Sequence, residues 1–87
     1  MEKKVIIKNE SGIHARPAGV FVKKASEFKS QVEIVFNGKK VNAKSIMGLM
    51  SLGLSKGDEI TIVANGEDAQ NAVNELAALV ESGFGEI

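Results

Sequence analysis

The chain has 87 residues, of which 44% are hydrophobic and 25% charged, and this composition predicts one globular domain over residues 1–87. Its 11 Lys and Arg balance its 11 Asp and Glu, and it has no Trp or Tyr. Nucleic-acid binding is therefore disfavoured, because it relies on excess positive charge and on aromatic rings that stack with bases. The absence of cysteine excludes disulfides and fits a reducing compartment.

The apolar stretches are short. Val5, Ile6 and Ile7 are followed at once by a lysine, which is too little for the apolar core of a signal peptide. No segment approaches the roughly 18 apolar residues of a membrane span. We therefore expect a cytoplasmic protein without membrane insertion.

The N-terminal half predicts a strand, a helix and a hairpin. Residues 4–8 alternate weakly, as in a short strand, and a turn cluster follows over residues 9–12. Apolar residues at 20, 21, 25 and 28 have helical spacing, and the only proline, Pro17, suits a first helical turn, so we predict a helix over residues 17–28. Residues 31–36 alternate as a strand, and Asn37-Gly38 predicts a tight turn into a return strand over residues 39–43.

The C-terminal half predicts two more helices and a fourth strand. Ser45 is suited to cap the start of a short helix and Gly53 to stop it. Residues 60–64 alternate as a strand. Apolar residues between 69 and 80 have the spacing of an amphipathic helix, with Glu67 and Asp68 at its positive end. The order βαββαβα predicts an α+β fold with helices on one face of a four-stranded sheet.

The only histidine, His14, lies in Gly12-Ile13-His14-Ala15-Arg16-Pro17, just before the first predicted helix. The unpaired amides and the positive dipole end of a helix N-terminus favour anions. Arg16 adds a permanently charged guanidinium that suits phosphate oxygens. A neutral imidazole is a competent nucleophile near pH 7, because the reference pKa of histidine is about 6.5. These residues are suited to accept a phosphoryl group.

The spacing around His14 leaves alternatives open. A single histidine in a loop is usually a solvated surface residue, and an arginine beside a helix start is often only a solvent-facing charge. One histidine without cysteine cannot supply a closed set of soft metal ligands. We expect neither a metal nor a cofactor.

Two stretches of the chain resemble one protein family. Residues 12–18, Gly-Ile-His-Ala-Arg-Pro-Ala, resemble the active-site motif of the HPr family, the histidine-containing phosphocarrier proteins of the bacterial phosphoenolpyruvate:sugar phosphotransferase system. Residues 44–53, Lys-Ser-Ile-Met-Gly-Leu-Met-Ser-Leu-Gly, resemble that family's regulatory-serine segment. The separation of the motifs, the chain length and the element order also match. The resemblance implies an open-faced sandwich with three helices on one face of a four-stranded antiparallel sheet.

The resemblance implies a phosphocarrier, which is a covalently modified protein substrate and not an enzyme with turnover. His14 matches the residue that phosphorylated enzyme I phosphorylates on Nδ1, and Arg16 matches the arginine that supports the phosphoryl group. The amides of Ala15 and Arg16 lie where the family caps the phosphate. The next acceptor is expected to be the IIA domain of a sugar-specific enzyme II.

Ser45 matches the serine that HPr kinase/phosphorylase phosphorylates in some bacteria, in addition to its role as a helix cap. The added phosphate would signal high energy status, read by a catabolite-control transcription factor. It would also place negative charge beside exposed apolar residues and weaken docking of enzyme I.

The resemblance implies a docking surface that combines the start of the first helix with the short helix. Leu49 and Leu52 are expected in the core, and the other apolar residues of the short helix are expected to be partly exposed. The interface residues are then Arg16, Gly19, Lys23, Ile46, Met47 and Met50. Gly19 departs from the family, which more often has Ala or Thr there, and glycine removes a contact side chain. A monomer is expected, since a carrier must visit several partners.

Three rival functions remain. One is a regulatory paralogue of the same fold, which keeps the serine but lacks the histidine, and His14 argues against it. A second is a nitrogen-branch carrier, although residues 46 and 47 look more like the sugar branch. The third is a ferredoxin-like nucleic-acid or metal-carrying domain, which the charge balance and the absence of cysteine disfavour.

Overall fold

The computed structural model describes residues 1–85, which form four strands and three helices in the predicted order. Of the domain predicted over residues 1–87, Glu86 and Ile87 lie outside the described residues. The elements are β1 (Glu2–Ile6), α1 (Ala15–Ala25), β2 (Gln31–Phe36), β3 (Lys39–Asn42), α2 (Ile46–Met50), β4 (Glu59–Asn65) and α3 (Ala69–Glu81).

The four strands form one antiparallel sheet in the order β1-β4-β2-β3. Alternate residues of the central strands are buried, including Val32 and Ile34 on β2 and Ile60 and Ile62 on β4. A period of two puts these side chains on one face of the sheet. The helix α3 packs on β1 and β4, α2 packs beside β3, and α1 contacts both helices. The predicted open-faced sandwich is confirmed.

Helix α1 begins two residues earlier and ends three residues earlier than predicted. Pro17 is its third residue, still within the first turn, where an amide would have no acceptor in the helix. At the other end, the amides of Glu27 and Phe28 bond the carbonyls of Lys24 and Ala25, three residues back. The tightened turns carry Phe28 onto the core without extending the helix.

Strand β1 also begins two residues earlier than predicted. It pairs with β4 from Glu2 opposite Val63 to Ile6 opposite Glu59. The amide of Ile7 donates to Asp58 O at 2.9 Å, and the chain then leaves the sheet. The predicted hairpin turn is confirmed, because Asn37 and Gly38 have φ of 50° and 78°.

Helix α3 carries the buried apolar face that its spacing predicts. Asp68 occupies its N-cap, but the carboxylate does not cap its own helix. It accepts hydrogen bonds from the amides of Lys29 and Ser30, at 2.8 and 2.9 Å, and from the Ser30 hydroxyl. These bonds, above all that of the Ser30 hydroxyl, lower the pKa of Asp68. Asp68 therefore ties the segment after α1 to the start of α3.

A short 3₁₀ turn over Gly83–Gly85 is absent from the predicted elements. Its central residue, Phe84, is buried at φ 58°, a conformation that bulky residues seldom adopt. The ring packs edge-on against Phe21 of α1, with centroids 6.3 Å apart. Residues after α3 thereby complete the core beneath α1.

Candidate functional site

His14 is the N-cap of α1, where the chain is still extended at φ −111° and ψ −165°. Its side chain is exposed and does not cap the helix. Because α1 begins at Ala15, no preceding helical turn supplies carbonyl acceptors for the amides of Ala15 and Arg16. Pro17 has no amide hydrogen, and the amide of Ala18 donates to His14 O at 3.0 Å. The backbone donors that remain beside His14 are therefore those of Ala15 and Arg16.

The positive end of α1 is not neutralised by its own residues. The first turn contains no acidic side chain, and Arg16 within it is exposed. A helix N-terminus carries about half a positive charge, and the guanidinium adds a full one. The electrostatics at the start of α1 favour an incoming anion.

The loop before His14 is fixed by the backbone. Gly12 lies at φ +65°, and a Cβ at this position would collide with the carbonyl oxygen of Leu54. The amide of Ile13 donates to that same oxygen at 3.1 Å. Glycine is thus required by both conformation and space, and the loop is held against residue 54.

The loop over residues 54–58 is in turn tied to the sheet. The amide of Gly57 donates to Ile7 O at 2.8 Å. On the surface, Lys56 Nζ lies 2.8 Å from Glu10 Oε1, and this hydrogen bond lowers the pKa of Glu10. Both residues are largely exposed, so the pair adds little to stability. The site is thereby anchored through two loops to β1.

The imidazole of His14 is oriented by its neighbour in the turn. His14 Nε2 lies 2.9 Å from Ser11 Oγ. Ser11 Oγ also accepts a weak hydrogen bond from the side-chain amide of Asn9 at 3.4 Å. The sequence pattern over residues 9–12 predicted only a turn and did not indicate this contact. The available signal was a serine three residues before the only histidine.

Ser45 caps α2 as predicted. Its hydroxyl oxygen accepts a hydrogen bond from the amide of Gly48 at 3.0 Å. The preceding Lys44 donates from Nζ to Phe28 O at 2.8 Å, and its amide donates to the side chain of Asn42. Ser45 is half-buried within this held segment.

The apolar residues of α2 divide as predicted. Leu49 and Leu52 are buried, whereas Ile46, Met47 and Met50 are exposed by 43%, 80% and 42%. On α1, Lys23 is exposed and Gly19 is half-buried. Helical spacing placed Val20 with the apolar face of α1, yet it is 37% exposed. Because α1 and α2 are in contact, the exposed apolar residues belong to two adjoining helices.

No three His, Cys, Asp or Glu side chains come together as metal ligands within residues 1–85. The longest helix in this part of the chain has 13 residues, and no helix there has the length and hydrophobicity of a membrane span.

Residues 1–82 match the family model described as the PTS HPr component phosphorylation site. The chain belongs to the HPr family. A solved HPr from Thermoanaerobacter tengcongensis is 50% identical to the chain. That structure aligns with a TM-score of 0.96 over 100% of this chain and 98% of its own. The resemblance stated from the two sequence motifs is confirmed.

Other relatives include both HPr and HPr-like proteins. An HPr from Bacillus anthracis is 46% identical, with a TM-score of 0.88 over 92% of this chain and 95% of its own. The HPr-like protein Crh of Bacillus subtilis is 52% identical over 93% of this chain and 95% of its own sequence. The family is thus that of the phosphotransferase-system phosphocarriers. Its solved members include Crh of B. subtilis, which is described as the catabolite repression HPr.

Proposed function

We propose that the protein accepts a phosphoryl group from phosphorylated enzyme I on His14 Nδ1 and passes it to IIA domains of sugar-specific enzyme II proteins in the cytoplasm. The observation that carries this proposal is the exposed imidazole at the uncapped start of α1. The amides of Ala15 and Arg16, together with the Arg16 guanidinium, would stabilise phosphoryl oxygens during the transfer.

An exposed site suits a carrier. A phosphoryl group enclosed and clamped by many donors would resist onward transfer, whereas a few donors at a helix mouth stabilise it and leave it accessible. In this role the protein is a substrate of other proteins and needs no cofactor of its own. The free energy would come from phosphoenolpyruvate.

The transfer is tested with phosphoenolpyruvate, magnesium and a purified enzyme I. Wild-type protein should gain one phosphoryl group that is labile in acid and stable in alkali, as expected for phosphohistidine. His14→Ala should abolish the label, because the accepting nitrogen is gone. Ser45→Ala is the matched control and should retain it. An acid-stable label, or a label that survives His14→Ala, would contradict the proposal.

A regulatory role without phosphoryl transfer is the second candidate, favoured by the curated relatives that are named Crh. Such a role would not require a reactive histidine at an open helix start. Failure of enzyme I to label the wild-type protein, with labelling of a known HPr in the same assay, would favour the regulatory role.

We further propose that HPr kinase/phosphorylase phosphorylates Ser45, with a catabolite-control transcription factor as the reader. Ser45 Oγ already accepts a helix amide, and a phosphate there would add nearly two negative charges beside exposed Ile46, Met47 and Met50. If Gly19 and Lys23 on α1 and these residues on α2 form the docking surface for enzyme I, the charge weakens docking.

Ser45→Asp should therefore raise the concentration of enzyme I needed for half-maximal labelling of His14, with Ser45→Ala as the uncharged control. Equal rates for the two variants would argue against regulation through docking.

We propose that the carrier acts as a monomer, because enzyme I and IIA domains must reach His14 in turn. Solved relatives include a B. subtilis Crh described as a dimer with a swapping domain and an HPr dimer from T. tengcongensis. Analytical ultracentrifugation across a range of protein concentrations decides between these states.

A further inference from the structure

One nitrogen of the His14 ring lies against a side chain of the preceding turn. The distance from Nε2 to Ser11 Oγ is 2.9 Å, within the range of a direct hydrogen bond. A phosphorus atom bonded to Nε2 along this line would overlap Ser11. The geometry therefore disfavours Nε2 as the atom that receives a phosphoryl group.

A buried side chain holds this turn. Asn9 is only 1% exposed, and its Nδ2 donates to Gly12 O at 2.6 Å, while the amide of Gly12 donates to Asn9 O at 3.1 Å. Because a carbonyl oxygen only accepts, the atom facing Gly12 O is the amide nitrogen of Asn9. The same nitrogen donates to Ser11 Oγ. Ser11 is thus linked to an anchor in the protein interior.

We propose that Ser11 is a positioning residue that accepts a hydrogen bond from Nε2–H of His14 and so keeps the lone pair on Nδ1. In a neutral imidazole one nitrogen carries the proton and the other the lone pair, and the hydrogen bond made by one nitrogen decides between them. This inference deepens the proposed function, on which it rests.

With this tautomer, phosphoryl transfer to His14 requires no proton transfer to or from the ring. The Nδ1 lone pair forms the new bond to phosphorus, and the bond from phosphorus to the donor protein breaks, leaving its electron pair on the donor. Nε2 keeps its proton. The ring becomes a stronger donor as it acquires positive charge, and Ser11 Oγ accepts from it before and after the transfer.

The tautomer is read by NMR of protein labelled with ¹⁵N at histidine, recorded well above the ordinary titration range of imidazole. Wild-type His14 should show its hydrogen on Nε2. Ser11→Ala should shift both ring nitrogens towards the averaged values of free histidine, and Ser11→Thr should restore them. Ser82→Ala removes another exposed hydroxyl, which donates to Leu79 O at the end of α3, and should leave the ring unchanged.

Labelling by enzyme I provides the second measurement. Ser11→Ala should slow phosphorylation of His14 by roughly 3- to 10-fold, the factor expected for one hydrogen bond, and Ser11→Thr should recover most of the rate. A hydrogen on Nδ1 in the wild type, or ring shifts unaltered by Ser11→Ala, would overturn the inference.

The spectra are taken on unphosphorylated protein, so they stand apart from the carrier proposal. If wild type is not labelled at all, the proposed function fails whatever the tautomer. If wild type and Ser11→Ala are labelled at equal rates, only the role of Ser11 fails.

Discussion

Helices α1 and α2 are each preceded by a residue that we propose is phosphorylated, but the side chains of these two residues make different contacts. His14 and Ser45 are both N-caps in extended conformation. The Ser45 side chain caps its own helix through Gly48 N, whereas the His14 side chain does not cap α1 and lies against Ser11. In α2 a first-turn amide is bonded by the side chain of the N-cap, whereas in α1 the first-turn amides are not capped by the N-cap side chain and can bind an anion.

This difference separates two uses of a helix N-terminus. At α1 the open amides and Arg16 favour an anion that comes and goes, and rigidity is supplied from outside the helix, by residues 9–12 and 54. At α2 the cap stabilises a helix of only five residues that presents exposed methionines. Four pairs of variants, at or beside the two helices, test this division.

The largest effect is expected at the glycines beside the two helices. Gly12 before α1 and Gly53 after α2 both have positive φ, but only Gly12 lacks room for a Cβ. Gly12→Ala should destabilise the fold by about 2–4 kcal/mol, because strain and a backbone collision add. Gly53→Ala should cost about 1 kcal/mol from strain alone. Urea unfolding measures both, and similar losses would show that loop 9–12 is not rigidly held.

Arg16 is the next test, because it acts on transfer and not on stability. Arg16→Ala should slow labelling of His14 by about 10- to 100-fold, the range for a hydrogen bond between charged groups. Its unfolding midpoint should stay close to wild type, since the side chain is exposed. Lys23→Ala removes an exposed positive charge further along α1 and should affect the rate less. An equal effect would point to general attraction of enzyme I.

Ser45→Ala should lower the free energy of unfolding by about 1 kcal/mol, because the amide of Gly48 loses its acceptor. Ser51→Ala is a matched control at the other end of α2, where the hydroxyl donates to Gly48 O. Exposed carbonyls find water readily, so this change should be smaller. The labelling rate of His14 should be unchanged in both variants.

The smallest effect concerns the two helical glycines. A Cβ at Gly19 on α1 meets nothing within 4 Å, whereas at Gly48 on α2 it would lie 3.3 Å from Ser45 Oγ. Gly19→Ala should stabilise the protein by about 0.5–1 kcal/mol through helix propensity. In Gly48→Ala the same gain in helix propensity is opposed by crowding of the Ser45 hydroxyl, so the free energy of unfolding should change little. Thermal denaturation resolves the two variants.

Several features of the fold and of the candidate site were predictable because they depend on residues that are close in sequence. The Asn37-Gly38 turn, the Ser45 cap and the buried face of α3 each depend on neighbouring residues, and all three are confirmed. The position of His14 just before a helix start was also predicted from the order of residues in the sequence.

Contacts between distant residues set the rest. The local pattern indicated a strand and a turn here, but the start of β1 at Glu2 is set by pairing with β4, and the Gly12 loop is held by Leu54. Val20 fits the apolar spacing of α1 and is still exposed, because tertiary packing decides which part of the face is covered. The burial of Phe84 against Phe21 joins residues 63 positions apart in sequence.

The Asp68 carboxylate has a consequence for work at acid pH. Its folded-state pKa lies below the ordinary value, so its contribution to stability is complete above that value and disappears as the pH falls through the lower one. Asp68→Asn should therefore unfold at lower urea than wild type at neutral pH, with the gap closing in acid. Lys29 and Ser30, which Asp68 holds, follow the end of α1 opposite His14. Loss of the Asp68 contacts in acid weakens the fold itself, so an activity profile against pH should be compared with an unfolding profile before any inflection is assigned to the imidazole.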